Sequence, residues 1–154
     1  MTKNLSNKYL LFILGVVGFI YLKSSWGKIM GGEFVNNLGG TLGKFAAKNP
    51  YPWMQNFLQN VAIPNSNIFG LLTMWGEFLS ALAILVSVFC LVFSSQKSKL
   101  FILLLLAGCF VGLFLNLIFY FAAGWTSSST ESLNLLMFVI ELAGLVYGLK
   151  LLKE

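Results

Sequence analysis

Four long apolar runs constrain the fold of this chain more than any other feature. They cover residues 9–30, 68–93, 100–123 and 133–152. Each run reaches the ~20 residues that a helix needs to cross a hydrocarbon core about 30 Å thick. Lipid offers no partner to an open backbone, and the runs lack the alternation of barrel strands. The sequence therefore predicts an all-α integral membrane four-helix bundle.

The composition agrees with a membrane protein and not with a soluble one. Of the 154 residues, 58% are hydrophobic and only 10% are charged, whereas soluble domains carry roughly 25% charged residues. No polar or low-complexity stretch is long enough to act as a linker. We therefore expect one domain over residues 1–154.

The residue types that the sequence lacks exclude several kinds of site. The chain contains no His, so it cannot supply the usual ligands of haem and zinc or the base of a Ser-His-Asp triad. Cys90 and Cys109 lie far apart within apolar runs, which favours two buried small side chains over a redox pair. We expect no metal site and no cofactor held by a recognisable motif.

The lysines predict how the chain is oriented. Lys3, Lys8, Lys97, Lys99, Lys150 and Lys153 flank one side of the bundle, and Lys28, Lys44 and Lys48 flank the other. The positive-inside rule then places both termini in the cytoplasm and the protein in the cell membrane. The same placement accounts for the net charge of +5 without a nucleic-acid partner. The first loop, residues 31–67, faces outward.

Two amphipathic stripes occur in that first loop. One consists of Trp53, Met54, Phe57, Leu58 and Val61, which follow Pro52 with helical spacing. The other consists of Phe34, Leu38, Leu42 and Phe45, which several glycines dilute. We expect an amphipathic interfacial helical segment in this extracytoplasmic loop, either flat on the interface or covering the ends of the bundle.

Small residues recur on the faces that the helices are expected to bury. Gly108 and Gly112 share one face of the third run, and Gly144 and Gly148 share one face of the fourth. Such spacing lets helix backbones approach closely in lipid. We therefore predict a tight bundle.

Five polar side chains within the apolar runs are candidates for a site. They are Lys23, Glu77, Asn116, Asn134 and Glu141. A charged residue at a helix centre costs about 2.5 to 3.5 kcal/mol on insertion scales, so these groups should face the interior and find partners. The direction of each run places all five in the outer half of the membrane.

Three interpretations of this cluster stay open. In the first, Lys23 or Lys28 pairs with Glu77 or Glu141 and the amides bridge helices, so that the cluster serves only packing. In the second, a pocket opens to the outer leaflet and a carboxyl group exchanges protons with a quinone or a similar amphiphile. An ion path is less favoured because the polar groups stop near the middle of the membrane. Trp75 lies at a position typical of an aromatic belt at the outer interface. The alternative is that its ring stacks on a quinone.

Three stretches resemble a known family. They are "SSWGKIM", "WGEFLSALAILVSVF" and "GLFLNLIFYFAAGWTSSSTESLNLLMF". Together they are similar to the DoxX family, and most similar to its branch of small, DoxD subunits of thiosulfate:quinone oxidoreductase. Lys28 and Glu77 match the recurrent Lys and Glu of the family. The chain departs from the family in having no Arg, with Lys8 and Lys97 at the nearest positions.

The resemblance implies a membrane subunit that takes part in quinone-linked oxidation beside a second subunit. An outer-side donor, thiosulfate or a thiol, would pass electrons to quinone as substrate. Taken together with the buried polar cluster, the resemblance leads to the hypothesis that Glu77 and Glu141 are the catalytic, proton-exchanging groups. The substrate-binding candidates are Lys23, Lys28, Trp75, Asn116 and Asn134.

A non-enzymatic alternative stays open beside it. The chain would then be a membrane scaffold, or a lipid-binding protein that anchors a partner enzyme, and its buried charges would serve assembly. Membrane lipid is a partner under both the oxidoreductase and the scaffold hypothesis, and both allow a homo-oligomer.

Overall fold

The computed structural model describes the backbone of residues 2–93 and 98–153, with side chains from residue 8 onward. Six α-helices make up almost all of it, and the described ranges contain no strand. They are α1 Thr2–Gly31, α2 Phe34–Ala47, α3 Pro52–Phe57, α4 Ser66–Phe93, α5 Lys99–Ala123 and α6 Ser128–Lys153. A π-helical turn, Leu58–Ala62, continues α3, and a 3-10 turn, Gly124–Thr126, follows α5. The predicted all-α class is confirmed.

Four of these helices, α1, α4, α5 and α6, are long and apolar enough to cross a membrane. This confirms a multi-pass membrane protein. α1 packs against α4 and α6, and α5 packs against the same two helices, so the four helices form a closed ring. Of the lysines used to predict orientation, the Lys3 side chain and all of Lys97 lie outside the described residues.

α6 begins at Ser128, earlier than the predicted start at residue 133. Ser127 explains the difference because it is extended and its Oγ accepts a hydrogen bond of 3.1 Å from the backbone N–H of Thr130. This is the geometry of a helix N-cap, for which Ser is among the preferred residues. The Ser- and Thr-rich stretch therefore forms the first turn of α6 rather than a loop.

Glycines bring the helices together where the sequence predicted close packing. A Cβ built on Gly108 would lie 3.2 Å from the backbone nitrogen of Ile84 in α4. One built on Gly144 would lie 2.9 Å from the Cys109 sulfur in α5. Real Cβ atoms rarely come so close to a neighbour, so α5 packs on both α4 and α6 at distances that a side chain would prevent.

The first loop folds over one end of the ring, and we call residues 34–62 the cap. Its buried side chains pack around Ala122 at the end of α5, and they are Leu38, Leu42, Ala46, Met54, Leu58 and Ala62. Of the two expected arrangements, the cap therefore covers the end of the bundle. The buried face of its second part is Met54, Leu58 and Ala62, whereas Trp53 and Val61 are 56% and 43% exposed.

Asn49 ties the cap to the bundle. It lies in the turn between α2 and α3, and its Nδ2 donates hydrogen bonds of 3.1 Å to the carbonyl oxygens of Phe121 and Ala122. These carbonyls belong to the last turn of α5, where the helix itself provides no partner. The Asn49 Oδ1 in turn accepts from the backbone N–H of Tyr51 at 3.0 Å. The side-chain amide of Asn49 thus connects the cap to the last turn of α5.

We expect Asn49→Ala to lower the free energy of unfolding by about 1 to 3 kcal/mol, because the Phe121 carbonyl and the Tyr51 N–H lose a partner. The Ala122 carbonyl keeps the Trp125 indole N–H at 3.1 Å. Asn36→Ala, at an exposed position of α2, is the matched control and should stay close to wild type. Unfolding in mixed micelles followed by circular dichroism measures both. Equal stability of the two variants would contradict the role of Asn49.

Candidate functional site

An ion pair joins α1 to α4 near the cap. Lys28, in the last turn of α1, pairs with Glu77 of α4. The lysine Nζ also donates to Ser24 Oγ at 3.2 Å and lies 5.0 Å from the centre of the Phe34 ring in α2. The Glu77 side chain is 3% exposed and that of Lys28 is 19% exposed. The pair therefore holds its opposite charges at the boundary between the bundle and the cap.

A second polar group lies deeper and joins three helices. Asn116 of α5 donates from Nδ2 to Glu141 Oε2 of α6 at 2.8 Å and to Tyr21 Oη of α1 at 2.7 Å. The Tyr21 hydroxyl donates in turn to the carbonyl oxygen of Gly112 at 3.0 Å. All three side chains are fully buried. We call Tyr21, Asn116 and Glu141 the interior triad.

Gly112 makes room for the carboxyl group of the triad. A Cβ at this position would lie 2.1 Å from Glu141 Oε1 and 3.0 Å from the Tyr21 ring. Glu141 Oε1 itself has no hydrogen-bond partner among the described residues. One carboxyl oxygen is therefore held by an amide, and the other faces the bare backbone of a glycine.

The ion pair and the triad are neighbours on one face of α1. Tyr21, Ser25 and Lys28 recur at i, i+4 and i+7, which places them on the same side of the helix. Ser25 between them is buried and donates to the Tyr21 carbonyl at 2.8 Å. Glu77 meets this face of α1 at Lys28, and Glu141 is joined to it at Tyr21 through Asn116. The two clusters thus form one polar layer that includes groups from all four spanning helices.

A cleft opens between α5 and α6 beside the triad. Its volume is about 210 Å³, and it is lined by Asn116, Leu117, Tyr120, Phe121, Asn134, Leu135 and Phe138. Most ligand pockets for drug-sized molecules enclose roughly 300 to 1,000 Å³. This cleft is smaller than that range, and most of its lining residues are apolar. Asn116 belongs to both the cleft and the triad.

The cap reaches the rim of this cleft through aromatic contacts. The rings of Tyr51 and Trp53 pack edge to face on Phe121, with centroids 5.2 and 5.0 Å apart. At the same rim the Tyr120 hydroxyl donates to Glu131 Oε1 at 3.2 Å. Because Asn49 holds the Phe121 carbonyl, the cap fixes the position of one wall of the cleft.

The polar residues that the sequence predicted to form one cluster lie in separate groups in the structure. Glu77 pairs with Lys28, Glu141 bonds to Asn116, and Asn134 lines the cleft. Lys23 is exposed on α1 and takes part in neither cluster. Trp75 is 46% exposed and contacts Phe78 of its own helix, with ring centroids 5.8 Å apart, away from the cleft.

Tyr21 is the member of the site that the sequence analysis missed. In the sequence it is one of several aromatic residues in the first apolar run, and no motif marks it. Its spacing from Ser25 and Lys28 is the signal that could have found it, since the three form a polar stripe on one helix face. Tyr120, Phe121 and Phe138 carry no such signal, because phenylalanines and tyrosines are frequent throughout the chain.

Within the described ranges, no group of three His, Cys, Asp or Glu side chains lies close enough together to hold a metal ion. No protein-family model matches the sequence, and neither a curated protein nor a solved structure matches it. A functional assignment therefore depends on the geometry of the polar layer and the cleft.

We expect Gly112→Ala to destabilise the bundle by about 1 to 3 kcal/mol, because the added methyl group overlaps the Glu141 carboxyl group. Gly27→Ala, whose Cβ would meet no atom within 4 Å, should cause no such loss. Thermal unfolding in detergent compares the two.

The double variant Gly112→Ala with Glu141→Ala tests whether overlap with the Glu141 carboxyl group causes the loss of stability. Removing the carboxyl group makes room for the methyl group, so the two losses of stability should be less than additive. Strict additivity would mean that the methyl group clashes with something else.

Proposed function

We propose that this protein is a membrane subunit of a quinone-linked oxidoreductase and that the quinone ring binds in the cleft between α5 and α6. The observation that carries this proposal is Asn116, which lines the cleft and also holds the buried Glu141 carboxyl group. A ligand in the cleft would therefore lie one side chain away from a group that can exchange a proton.

The chemistry of the cleft suits a quinone. Phe121, Phe138 and the leucines offer apolar faces to the ring. Asn134 donates one N–H to the Thr130 carbonyl at 2.8 Å, and its amide carries a second N–H that can orient a quinone carbonyl. Asn116 already donates to two acceptors, so Asn134 is the better candidate for this contact.

The proposed reaction balances as a two-electron transfer. Two thiosulfate ions joined to tetrathionate, or two thiols joined to a disulfide, release two electrons. The quinone takes up two electrons and two protons to become a quinol. Glu141 would supply one proton and water at the cleft rim the other, and the electrons would arrive from the donor through a second subunit.

The resemblance of three sequence stretches to the DoxX family adds support. The two positions that match its recurrent Lys and Glu, Lys28 and Glu77, are partners in the ion pair. With its charge matched by Glu77, Lys28 would attract an anion only when that pair opens. We therefore assign the quinone to the cleft rather than to Lys28.

One observation favours the non-enzymatic alternative. Lys28 is paired with Glu77, and the triad bonds to itself across three helices. Polar side chains that bond to one another across helices are what a protein needs if these groups serve only to hold the bundle together. A scaffold that holds a lipid chain in the same cleft would need no exchangeable proton.

We further propose that the protein lies in the cell membrane with both termini in the cytoplasm and the cap outside. The described lysines support this orientation. Lys99, Lys150 and Lys153 lie at the end of the bundle opposite the cap. The cleft would then open into the outer leaflet, where an outer-side donor can reach its rim.

Quinone binding can be tested with the protein in lipid nanodiscs and a photoreactive short-chain quinone. We expect adducts on α5 and α6. Asn134→Leu should weaken binding about tenfold, because a tenfold change equals 1.4 kcal/mol and matches the loss of one hydrogen bond. Trp75→Phe, away from the cleft, is the control. Unchanged binding in Asn134→Leu, or no binding at all, would favour the scaffold.

Cysteine labelling tests the orientation. Cys90 and Cys109 are first replaced by Ala, and single cysteines are introduced by Lys48→Cys in the cap and Lys99→Cys at the start of α5. We expect an impermeant thiol reagent to label the first variant in intact cells and the second only after lysis. The reverse pattern would refute the outward-facing cleft.

A further inference from the structure

The two buried glutamates have different neighbours. Glu77 meets a cation, because the Lys28 ammonium group donates directly to its Oε1. The lysine is in turn held by Ser24 and by the Phe34 ring. The Glu77 Oε2 has no hydrogen-bond partner among the described residues, as is also true of one oxygen of Glu141. The difference between the two glutamates is therefore the cation, since removing the partner of a buried charge is strongly destabilising. Glu77 is therefore a carboxylate whose charge has a fixed partner.

No cation lies against Glu141 among the described residues. The titratable groups that face it are the Tyr21 hydroxyl from α1 and the Cys109 thiol from α5. On α4, the buried titratable group is Glu77, which is an acid and so provides no positive charge. Every one of these neighbours is either neutral or negative, so none can balance a charge on Glu141.

The hydrogen-bonding groups around Glu141 are all uncharged. Oε2 accepts a bond from the amide of Asn116, and the Tyr21 hydroxyl lies beside the same carboxyl group. Oε1 has no partner and lies against Gly112, while the whole side chain is 0% exposed. A carboxylate in the interior of a membrane protein needs a cation or several donors around both oxygens. Here the neighbouring side chains are neutral, and Oε1 has no hydrogen-bond partner among the described residues.

From this contrast we propose that Glu141 binds an exchangeable proton inside the bundle, whereas Glu77 stays ionised beside Lys28. The proton is carried on the carboxyl group of Glu141. When it leaves, the O–H bond breaks, the electron pair stays on the carboxylate, and the proton passes to an acceptor oxygen of water or of a ligand that reaches Glu141 past Asn116, since Asn116 lines the cleft and Glu141 lies behind it. The same group takes a proton back afterwards. The proposal does not require that this ligand is a quinone.

Infrared spectroscopy of the full chain in lipid nanodiscs tests the proposal without any ligand. The chain contains five acidic residues, all of them glutamates. Of the four that the structure describes, Glu77 and Glu141 are buried, whereas Glu33 and Glu131 are exposed. With carbon-13 in the glutamate carboxyl groups, a protonated carboxyl gives a carbonyl stretch that a carboxylate lacks. We expect this band at neutral pH in the wild type and its complete loss in Glu141→Gln, which keeps an oxygen for Asn116.

Variants of the ion pair provide the matched control. The double variant Lys28→Met with Glu77→Gln, which leaves no unpaired charge, should keep the band. Lys28→Met alone should add a second band, because Glu77 then loses its cation. The proposal is overturned if the wild type shows no band, if Glu141→Gln retains it, or if the double variant removes it. A chain that shows the band and binds no quinone would retain this inference and lose the proposed function.

Discussion

Lipid offers no hydrogen-bond partner, so polar groups that the helices carry into the membrane must be matched inside the bundle. The structure partners many of these groups through the hydrogen-bonded interior triad and one ion pair, which lie on neighbouring turns of α1. Oε1 of Glu141 and Oε2 of Glu77 have no hydrogen-bond partner among the described residues. Asn116 is central because a single amide bonds to Tyr21 on one helix and to Glu141 on another. The relative positions of α1, α5 and α6 follow from these bonds.

Such bonds form only where the helices come very close. Glu141 reaches Asn116 across a surface on which Gly112 leaves space for its carboxyl group, and Gly144 allows Cys109 to pack one turn away. The glycines therefore do more than permit tight packing, since they also decide which polar side chains can meet. A larger residue at Gly112 would separate the helices at the level where the triad needs them together.

The cap and the cleft depend on each other through the end of α5. Asn49 holds the last carbonyls of that helix, and Tyr51 and Trp53 pack on Phe121 beside the cleft. A surface loop thus shapes a cavity that otherwise belongs to two spanning helices. If an outer partner binds the cap, its effect would reach the cleft through Phe121 and Asn116, which share the wall of the cavity.

The four spanning helices, the amphipathic cap and the small-residue faces could be predicted from the sequence, because each is a local pattern with helical period. The same reasoning identified Glu77, Asn116, Asn134 and Glu141 as buried polar groups, since such residues are rare in apolar runs, but it was wrong for Lys23, which is exposed. The partners of the buried groups could not be predicted. Whether Glu141 meets a lysine or an amide depends on how neighbouring helices are rotated and offset, and no pattern within one helix encodes that. Tyr21 became part of the site for the same reason.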